Sequence, residues 1–131
     1  MSQLHHYLAR LHDTIRSRQE IIVELLEIYD RSDQAGKSSE FYALLRFYDD
    51  SQLQVTEKLI VEQFVIFKSR YSYHYQASDD SLLFRYDNAP HYPQLKTYPH
   101  HKHIGEEVFE SQPPDLGDVL REIDALLYPE N

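Results

Sequence analysis

The residues best suited to chemistry lie in one part of the chain, between Tyr71 and His103. Five of the eight histidines fall there, interleaved with tyrosines and with basic and acidic residues. Histidine changes its charge near neutral pH and can move protons, whereas arginine and lysine bind phosphate oxygens. A hydrophobic core requires no such mixture. This segment is therefore predicted to form the functional site, and the rest of the chain its scaffold.

The charge distribution narrows the chemistry of that site. The chain has 13 basic and 22 acidic residues, a formal net charge of −9, yet Lys68 to His103 holds five basic and three acidic residues, a local charge of +2. An acidic protein is a poor general binder of nucleic acid, because phosphate contacts supply most non-specific affinity. A small basic site on an acidic body fits an enzyme that acts on phosphates. It also fits a protein that meets a basic partner elsewhere on its surface.

Length and composition limit the class of protein. A chain of 131 residues predicts a single domain, and 41% hydrophobic with 27% charged residues is typical of soluble globular proteins. The absence of cysteine excludes disulfides and thiolate chemistry and fits a cytoplasmic location. No apolar run approaches the ~20 residues of a membrane span, and the start of the chain does not resemble a signal peptide.

Apolar periodicity predicts an α+β fold, in which an antiparallel meander of about five strands is flanked by an N-terminal and a C-terminal helix. The first helix covers 3–17, and the last begins after Pro113-Pro114-Asp115 with Asp115 as its cap. Segments 30–39 and 91–110 are expected to be mostly loop. The predicted strands are Ile21–Tyr29 (where a helix also fits), Phe41–Tyr48, a strand from Gln52 through Glu57, 61–76 and Leu82–Asp87.

Strand alternation sorts the candidate residues by face. Tyr71, Tyr73 and Tyr75 share one face, which is more typical of a half-buried sheet than of a base-stacking platform, and His74 lies on the other. If the register agrees, His74 and Arg85 meet on one surface. Glu57 continues a core face, so it marks either the end of its strand or a buried carboxylate that orients an Arg, Lys or His.

Three motifs resemble the TumE toxin family of bacterial toxin–antitoxin systems. They are Tyr73-His74-Tyr75-Gln76, then Phe84-Arg85-Tyr86-Asp87-Asn88-Ala89-Pro90-His91, then Tyr98-Pro99-His100-His101-Lys102-His103. They lie within about residues 70–104 of a single toxin domain spanning 1–131. The resemblance implies the toxin of a type II system, similar to small ribonucleases that cut messenger RNA and are neutralised by a cognate antitoxin protein.

For a ribonuclease of this kind, the chemistry assigns roles to residues within these motifs. Cleavage through the RNA 2′-hydroxyl needs a base, an acid and cations that stabilise the transition state. His74, His100 and His101 are the acid–base candidates, and Arg85 and Lys102 the phosphate binders. The supporting residues are Glu57, Asp87, His91 and His103, and the base-stacking candidates are Tyr75, Tyr86 and Tyr98. The acidic body suggests that the ribosome presents the RNA.

Two alternatives remain open at this stage. His91, His100, His101 and His103, with Asp87, supply enough nitrogen and oxygen donors for zinc, in a structural site or a metallonuclease, although the preferred reading needs no cofactor. The second alternative is a non-enzymatic module whose basic, aromatic segment binds RNA or protein. The sequence does not decide whether the chain forms a homo-oligomer.

Overall fold

The computed structural model describes residues 3–30 and 37–129, which form two helices and one antiparallel sheet. Helix α1 spans Gln3–Arg16 and α2 spans Leu116–Leu127. The sheet is an antiparallel meander, as the sequence indicated, and it has seven strands in the order β1 to β7. The strands are β1 Ile22–Asp30, β2 Lys37–Arg46, β3 Gln52–Glu62, β4 Val65–Gln76, β5 Leu82–Asp87, β6 His101–Ile104 and β7 Glu107–Glu110.

The α+β class and the flanking helices are confirmed, but the expected count of about five strands is wrong. The two missed strands, β6 and β7, lie inside the segment 91–110 that was expected to be loop. Each has only four residues, and their hairpin turns at Gly105, whose φ of 59° suits glycine. Strand β2 also begins earlier than expected, at Lys37; the remaining loop prediction at 31–36 lies outside the described residues.

The hairpin turns after β2 and β4 share one Asp-Asp-Ser design. The Asp49 and Asp79 carboxylates each accept hydrogen bonds from the backbone N–H and hydroxyl of the serine two residues later. Asp50 and Asp80 take positive φ values of 66° and 71°, which aspartate tolerates better than most residues. The turn predicted at Asp49-Asp50-Ser51 is therefore confirmed. Glycine would also suit position 50, because it adopts a positive φ at no steric cost.

Both helices contribute to one hydrophobic core on the same side of the sheet, which we call the helical face. Strand side chains alternate, so every second residue of β2 to β5 enters this core. Helix α2 starts where predicted, because the Asp115 side chain accepts from the Asp118 N–H in a capping box. The buried members are Leu4, Leu8, Leu11, Ile15, Ile21, Phe41, Ala43, Leu45, Phe47, Leu53, Val55, Leu59, Tyr71, Tyr73, Tyr75, Phe84, Leu116, Val119, Leu120 and Ile123.

The other side of the sheet, which we call the open face, carries the alternate residues of the same strands. Strand pairing places His74 of β4 opposite Arg85 of β5, as predicted, and Arg85 opposite His103 of β6. Asp87 lies opposite His101 in the same ladder. Directly opposed residues project to the same face. The open face therefore gathers one guanidinium, one carboxylate and three imidazoles on three neighbouring strands. Neither described helix is long and apolar enough to cross a membrane.

Candidate functional site

The sheet divides the sequence-predicted site residues between its two faces. Five of them lie together on the open face: His74, Arg85, Asp87, His101 and His103. Glu57, Tyr75, Tyr86 and Lys102 belong to the helical face, because their strand positions alternate with those five. His91 and Tyr98 are exposed in the connection between β5 and β6. A single site containing all of the candidates is therefore excluded by the geometry.

Arg85 is the centre of the open-face group. Its Nε donates a hydrogen bond to Asp87 Oδ2 at 2.8 Å, and its Nη1 donates to His74 Nδ1 at 3.2 Å. Because the guanidinium can only donate, Nδ1 of His74 accepts, and the neutral ring carries its proton on Nε2. The side chain is 38% exposed, so two contacts fix its direction while part of the guanidinium still faces solvent. This arrangement can bind an anion such as a phosphate.

Asp87 is buried beneath the guanidinium of Arg85 and holds that group in place. Burial opposes ionisation of this carboxyl. The hydrogen bonds from Arg85 and the Ala89 N–H and the charge of His101 outweigh that effect, and they hold its pKa below its usual value. Asp87 is therefore a carboxylate at neutral pH. It serves to position Arg85, the role that the sequence suggested for it.

His101 lies beneath this group and is 1% exposed. Its Nδ1 donates to the Pro99 carbonyl at 2.9 Å, and its Nε2 lies 2.9 Å from Asp87 Oδ1. These two atoms are not joined by a hydrogen bond, and Nε2 is a buried polar atom without a hydrogen-bond partner. The Tyr92 ring covers it from the edge, with ring centroids 4.9 Å apart. His101 lies too deep to touch a substrate in the groove and can act on one only through Asp87.

The two other imidazoles of the open face are partly exposed. Burial, with the nearby charge of Arg85, lowers the pKa of His74, and a hydrogen bond to Gln76 opposes this shift. Burial also lowers the pKa of His103, although Asp87 acts in the opposite direction. Both rings are therefore mainly neutral at pH 7. A neutral imidazole can accept a proton, which is what a general base must do.

A change of His74 should alter how stability depends on pH. Its pKa is lowered in the folded state, so the unfolded chain takes up the proton first, at about pH 6.5. The contribution of His74 to the free energy of unfolding is complete above that pH, and it is lost as the pH falls toward the pKa of His74 in the folded state. The stability difference between wild type and His74→Gln should therefore shrink between about pH 7.5 and 5.5, measured by urea unfolding. A difference that stays constant over this range would contradict the assignment.

A shallow groove of about 340 Å³ runs beside Arg85 on the open face. Lys58 of β3 and Arg70 of β4 line it and are paired in the sheet register, so three cationic side chains border it. Ser72 and Thr56 add hydroxyl groups. Lys58 was not among the residues that the sequence singled out. A single lysine in an alternating strand carries no signal until its neighbours are known.

Glu57 belongs to a separate, buried network on the helical face. The side chain is fully buried, accepts from the Tyr7 hydroxyl at 2.5 Å and from the Tyr73 hydroxyl, and lies 3.7 Å from Lys68 Nζ. Burial, followed by the Glu57 charge, raises the pKa of both tyrosines, which keeps them protonated as donors. The strand-end reading of Glu57 is wrong, since β3 continues to Glu62. The carboxylate has specific partners, chiefly tyrosines, and does not orient the open-face residues.

Removal of one tyrosine hydroxyl should measurably weaken this network. Tyr73→Phe leaves the buried Glu57 carboxylate one donor short, and it also removes a 2.6 Å hydrogen bond from Lys68 Nζ. We expect the free energy of unfolding to fall by about 1–3 kcal/mol in urea denaturation. The matched control is Tyr48→Phe, whose hydroxyl is exposed and should change stability by less than about 0.5 kcal/mol. Equal effects of the two changes would show that the network contributes nothing.

Four other predicted site residues also face away from the groove. The Tyr75 ring is 1% exposed and contacts Phe47 and Phe84, so it leaves no surface for a base to stack on. Lys102 and Tyr86 both bond to Glu122 of α2. His100 pairs with the Tyr71 hydroxyl through Nδ1 at 3.0 Å. Burial, with the charges of His101 and Lys68, lowers the pKa of His100. The bond from Lys102 to Glu122 joins β6 to α2, so Lys102 stabilises that contact on the helical face.

One group of side chains in the described residues has the donor atoms for a metal ion. Asp87, His101 and His103 each offer one ligand atom, and these atoms lie within 4.8 Å of one another. The sequence-based set of four histidines is not brought together. His91 is exposed in the connection before β6, and Nδ1 of His100 is bonded to Tyr71. Of the donors that the sequence offered, only His101, His103 and Asp87 meet, because Asp87 lies opposite His101 in the ladder.

Comparison with known proteins places the chain in a family of toxins. The sequence profile described as Toxin TumE matches residues 11–127, nearly the whole chain, so the chain belongs to the TumE family. This confirms the resemblance stated from the three motifs and supports a toxin role, which in turn implies an antitoxin partner. None of the curated proteins and none of the solved structures matches the chain.

Proposed function

We propose that this protein is the toxin of a type II toxin–antitoxin pair and that it cleaves RNA in the open-face groove. The observation that supports this most directly is the contact of Arg85 with both His74 and Asp87 beside a groove bordered by Lys58 and Arg70. A proton-transfer group, a fixed guanidinium and further cations are what transfer of an RNA phosphate requires.

In the proposed reaction, the RNA 2′-oxygen attacks the adjacent phosphorus and the 5′-oxygen of the next nucleotide leaves. His74 removes the 2′-hydroxyl proton through Nδ1, the basic nitrogen of its neutral ring, after Arg85 Nη1 turns from that nitrogen to the phosphate. Arg85 binds the phosphate oxygens on which charge develops, and Arg70 and Lys58 bind neighbouring phosphates along the groove. His103 is the second partly exposed imidazole of this face, and its protonated form, which the charge of Asp87 favours, supplies the proton for the leaving oxygen. The products are a 2′,3′-cyclic phosphate and a 5′-hydroxyl.

The remaining predicted residues take different roles in this scheme. Asp87 and His101 are positioning residues, because the largely buried Asp87 holds Arg85 and the buried His101 contacts Asp87. Lys102 and His100 are directed to the helical face and have no part in phosphate binding. Tyr98 is 44% exposed and is the remaining candidate for stacking on a base. A cytoplasmic location and ribosome-bound RNA stay predictions of the sequence.

Induced expression in a bacterial host tests the proposal. We expect the wild type to arrest growth and to produce new RNA ends in primer extension at early times, and His74→Ala to do neither. The matched control is His6→Ala, an exposed histidine on α1, which should behave as the wild type does. Growth arrest with intact RNA would move the target elsewhere. Saturable RNA binding without scission would favour the non-enzymatic binding module.

A further inference from the structure

We propose that Asp87, His101 and His103 form a binding site for one divalent transition-metal ion with the preferences of zinc. The three ligands comprise two imidazole nitrogens and one carboxylate oxygen, a set that zinc accepts in proteins. This inference concerns the same face as the proposed RNA site, but it does not depend on RNA cleavage.

The backbone brings the three donors together without any rearrangement of the sheet. His101 and His103 are two residues apart on β6, so their side chains project to the same face. Asp87 on β5 is the direct ladder partner of His101. The imidazole rings meet edge to face with centroids 4.8 Å apart. A loop would not fix three donors in this way, whereas neighbouring strands do.

The distances between the donor atoms fit a common metal ion. His101 Nε2 is 2.9 Å from Asp87 Oδ1, and His103 Nε2 is 3.6 Å from Asp87 Oδ2. Metal–ligand bonds of about 2.0–2.2 Å in a tetrahedral arrangement separate neighbouring ligand atoms by roughly 3.3–3.5 Å. These two distances, which involve different oxygens of Asp87, are each within about half an ångström of that value, and the most widely separated ligand atoms, up to 4.8 Å apart, would move closer on binding. All three ligands could therefore bind one ion.

His101 provides the observation that points to an ion at this place. Its Nδ1 donates to the Pro99 carbonyl, which is the outer contact that metal-binding histidines usually make and which directs the Nε2 lone pair inward. That Nε2 atom is buried, faces a carboxylate oxygen and has no hydrogen-bond partner. Two electron-pair donors that face each other in a buried place require a positive charge between them, which either a proton on Nε2 or a metal ion supplies. A metal ion shared with His103 supplies that charge.

The neighbouring Arg85 is compatible with such a site. Asp87 has two oxygens with two lone pairs each, and Arg85 uses Oδ2, while Oδ1 accepts from the Ala89 N–H and faces His101. Arg85 thereby orients the carboxylate as an outer-shell partner does. Asp87 also lines the groove, so a bound ion would lie at its wall, with a fourth position for water or a phosphate oxygen. His103 would then be a ligand of the ion, and water held by the ion would supply the proton for the leaving oxygen in its place.

The test uses the untagged full-length protein, treated with chelator and then titrated with Co²⁺, which takes the place of zinc and absorbs visible light. We expect one equivalent to bind, with the intense absorption of four-coordinate Co²⁺, and Zn²⁺ to displace it. His103→Gln and Asp87→Asn should each weaken the affinity more than about tenfold, whereas the controls His91→Gln and His100→Gln should leave it unchanged. Circular dichroism would establish that each variant is folded.

Two results would overturn the proposal. One is the absence of stoichiometric binding, and the other is binding that His103→Gln and Asp87→Asn leave unchanged, which would mean adventitious contact with other histidines.

Arg85→Ala separates this inference from the proposed function. If both hold, that variant keeps the metal ion but loses RNA cleavage, whereas a metal-binding protein with no nuclease activity would show binding and no cleavage in either form.

Discussion

Arg85→Ala is expected to lower RNA cleavage about 10²- to 10³-fold, because it removes the one group that both Asp87 and His74 hold against the groove. Arg85→Lys should recover little of the activity. A lysine ammonium is a point charge and cannot contact a carboxylate, an imidazole and a phosphate in the same plane. Cleavage rates of purified variants under single-turnover conditions measure both effects.

The control for this prediction is another arginine that ion-pairs on the surface. Arg121 pairs with Asp118 on α2, is 66% exposed and lies away from the groove, so Arg121→Ala should retain full activity. The Arg85 variants should also remain folded and lose less stability than His101→Ala, since the guanidinium is partly in water. Full cleavage by a folded Arg85→Ala protein would remove Arg85 from the mechanism.

His101→Ala is expected to reduce the free energy of unfolding by roughly 3 kcal/mol or more. The substitution leaves a cavity in a place that is 1% exposed, and it removes the hydrogen bond to the Pro99 carbonyl. It also leaves the buried Asp87 carboxylate without the imidazole at 2.9 Å. Such a loss is a large fraction of the ~5–15 kcal/mol that stabilises a typical domain. Urea denaturation of the purified variant measures it.

This expectation changes how a non-toxic His101→Ala variant is to be interpreted. From the sequence alone the substitution would abolish toxicity while leaving the fold intact, but the burial of His101 makes a folding defect the first explanation. His100→Ala is the matched control. Its ring is only partly buried and belongs to the helical face, so it should lose less stability and keep its activity. Equal stability of His101→Ala and wild type would contradict the structural role.

Most of the scaffold could be predicted from the sequence because its signals are local. The apolar stripes of α1 and α2, the Asp115 cap and the Asp-Asp-Ser turn each depend on residues a few positions apart. The pairing of His74 with Arg85 also followed, since a short turn fixes the register of the hairpin that carries them. The motifs of the TumE family pointed to the same segment.

The site itself depends on features that no local pattern shows. The sequence His101-Lys102-His103-Ile104 lacks the apolar alternation of a strand, and it forms β6 because β5 and β7 supply its hydrogen-bond partners. Once it is a strand, the two histidines face the groove side and Lys102 faces α2. Treating this segment as loop therefore kept His101, Lys102 and His103 together, although the sheet separates them.

Burial was the other quantity that the sequence could not supply. Glu57 and Tyr75 carry the chemical groups of a site, yet both lie in the core, where Glu57 bonds to tyrosines and Tyr75 contacts phenylalanines. Alternation correctly placed Tyr75 with the core face, but the residue type alone does not show whether a tyrosine ring is buried or exposed. Only the assembled sheet and helices distinguish the two.

The most direct test is the incubation of purified wild-type protein with an end-labelled single-stranded RNA and with its all-deoxy equivalent, in the presence and absence of translating ribosomes. The proposed function predicts that the RNA alone is cut, that the new ends are a 2′,3′-cyclic phosphate and a 5′-hydroxyl, and that Arg85→Ala does not cut. No scission of RNA in either condition, or equal scission by wild type and Arg85→Ala, would contradict it.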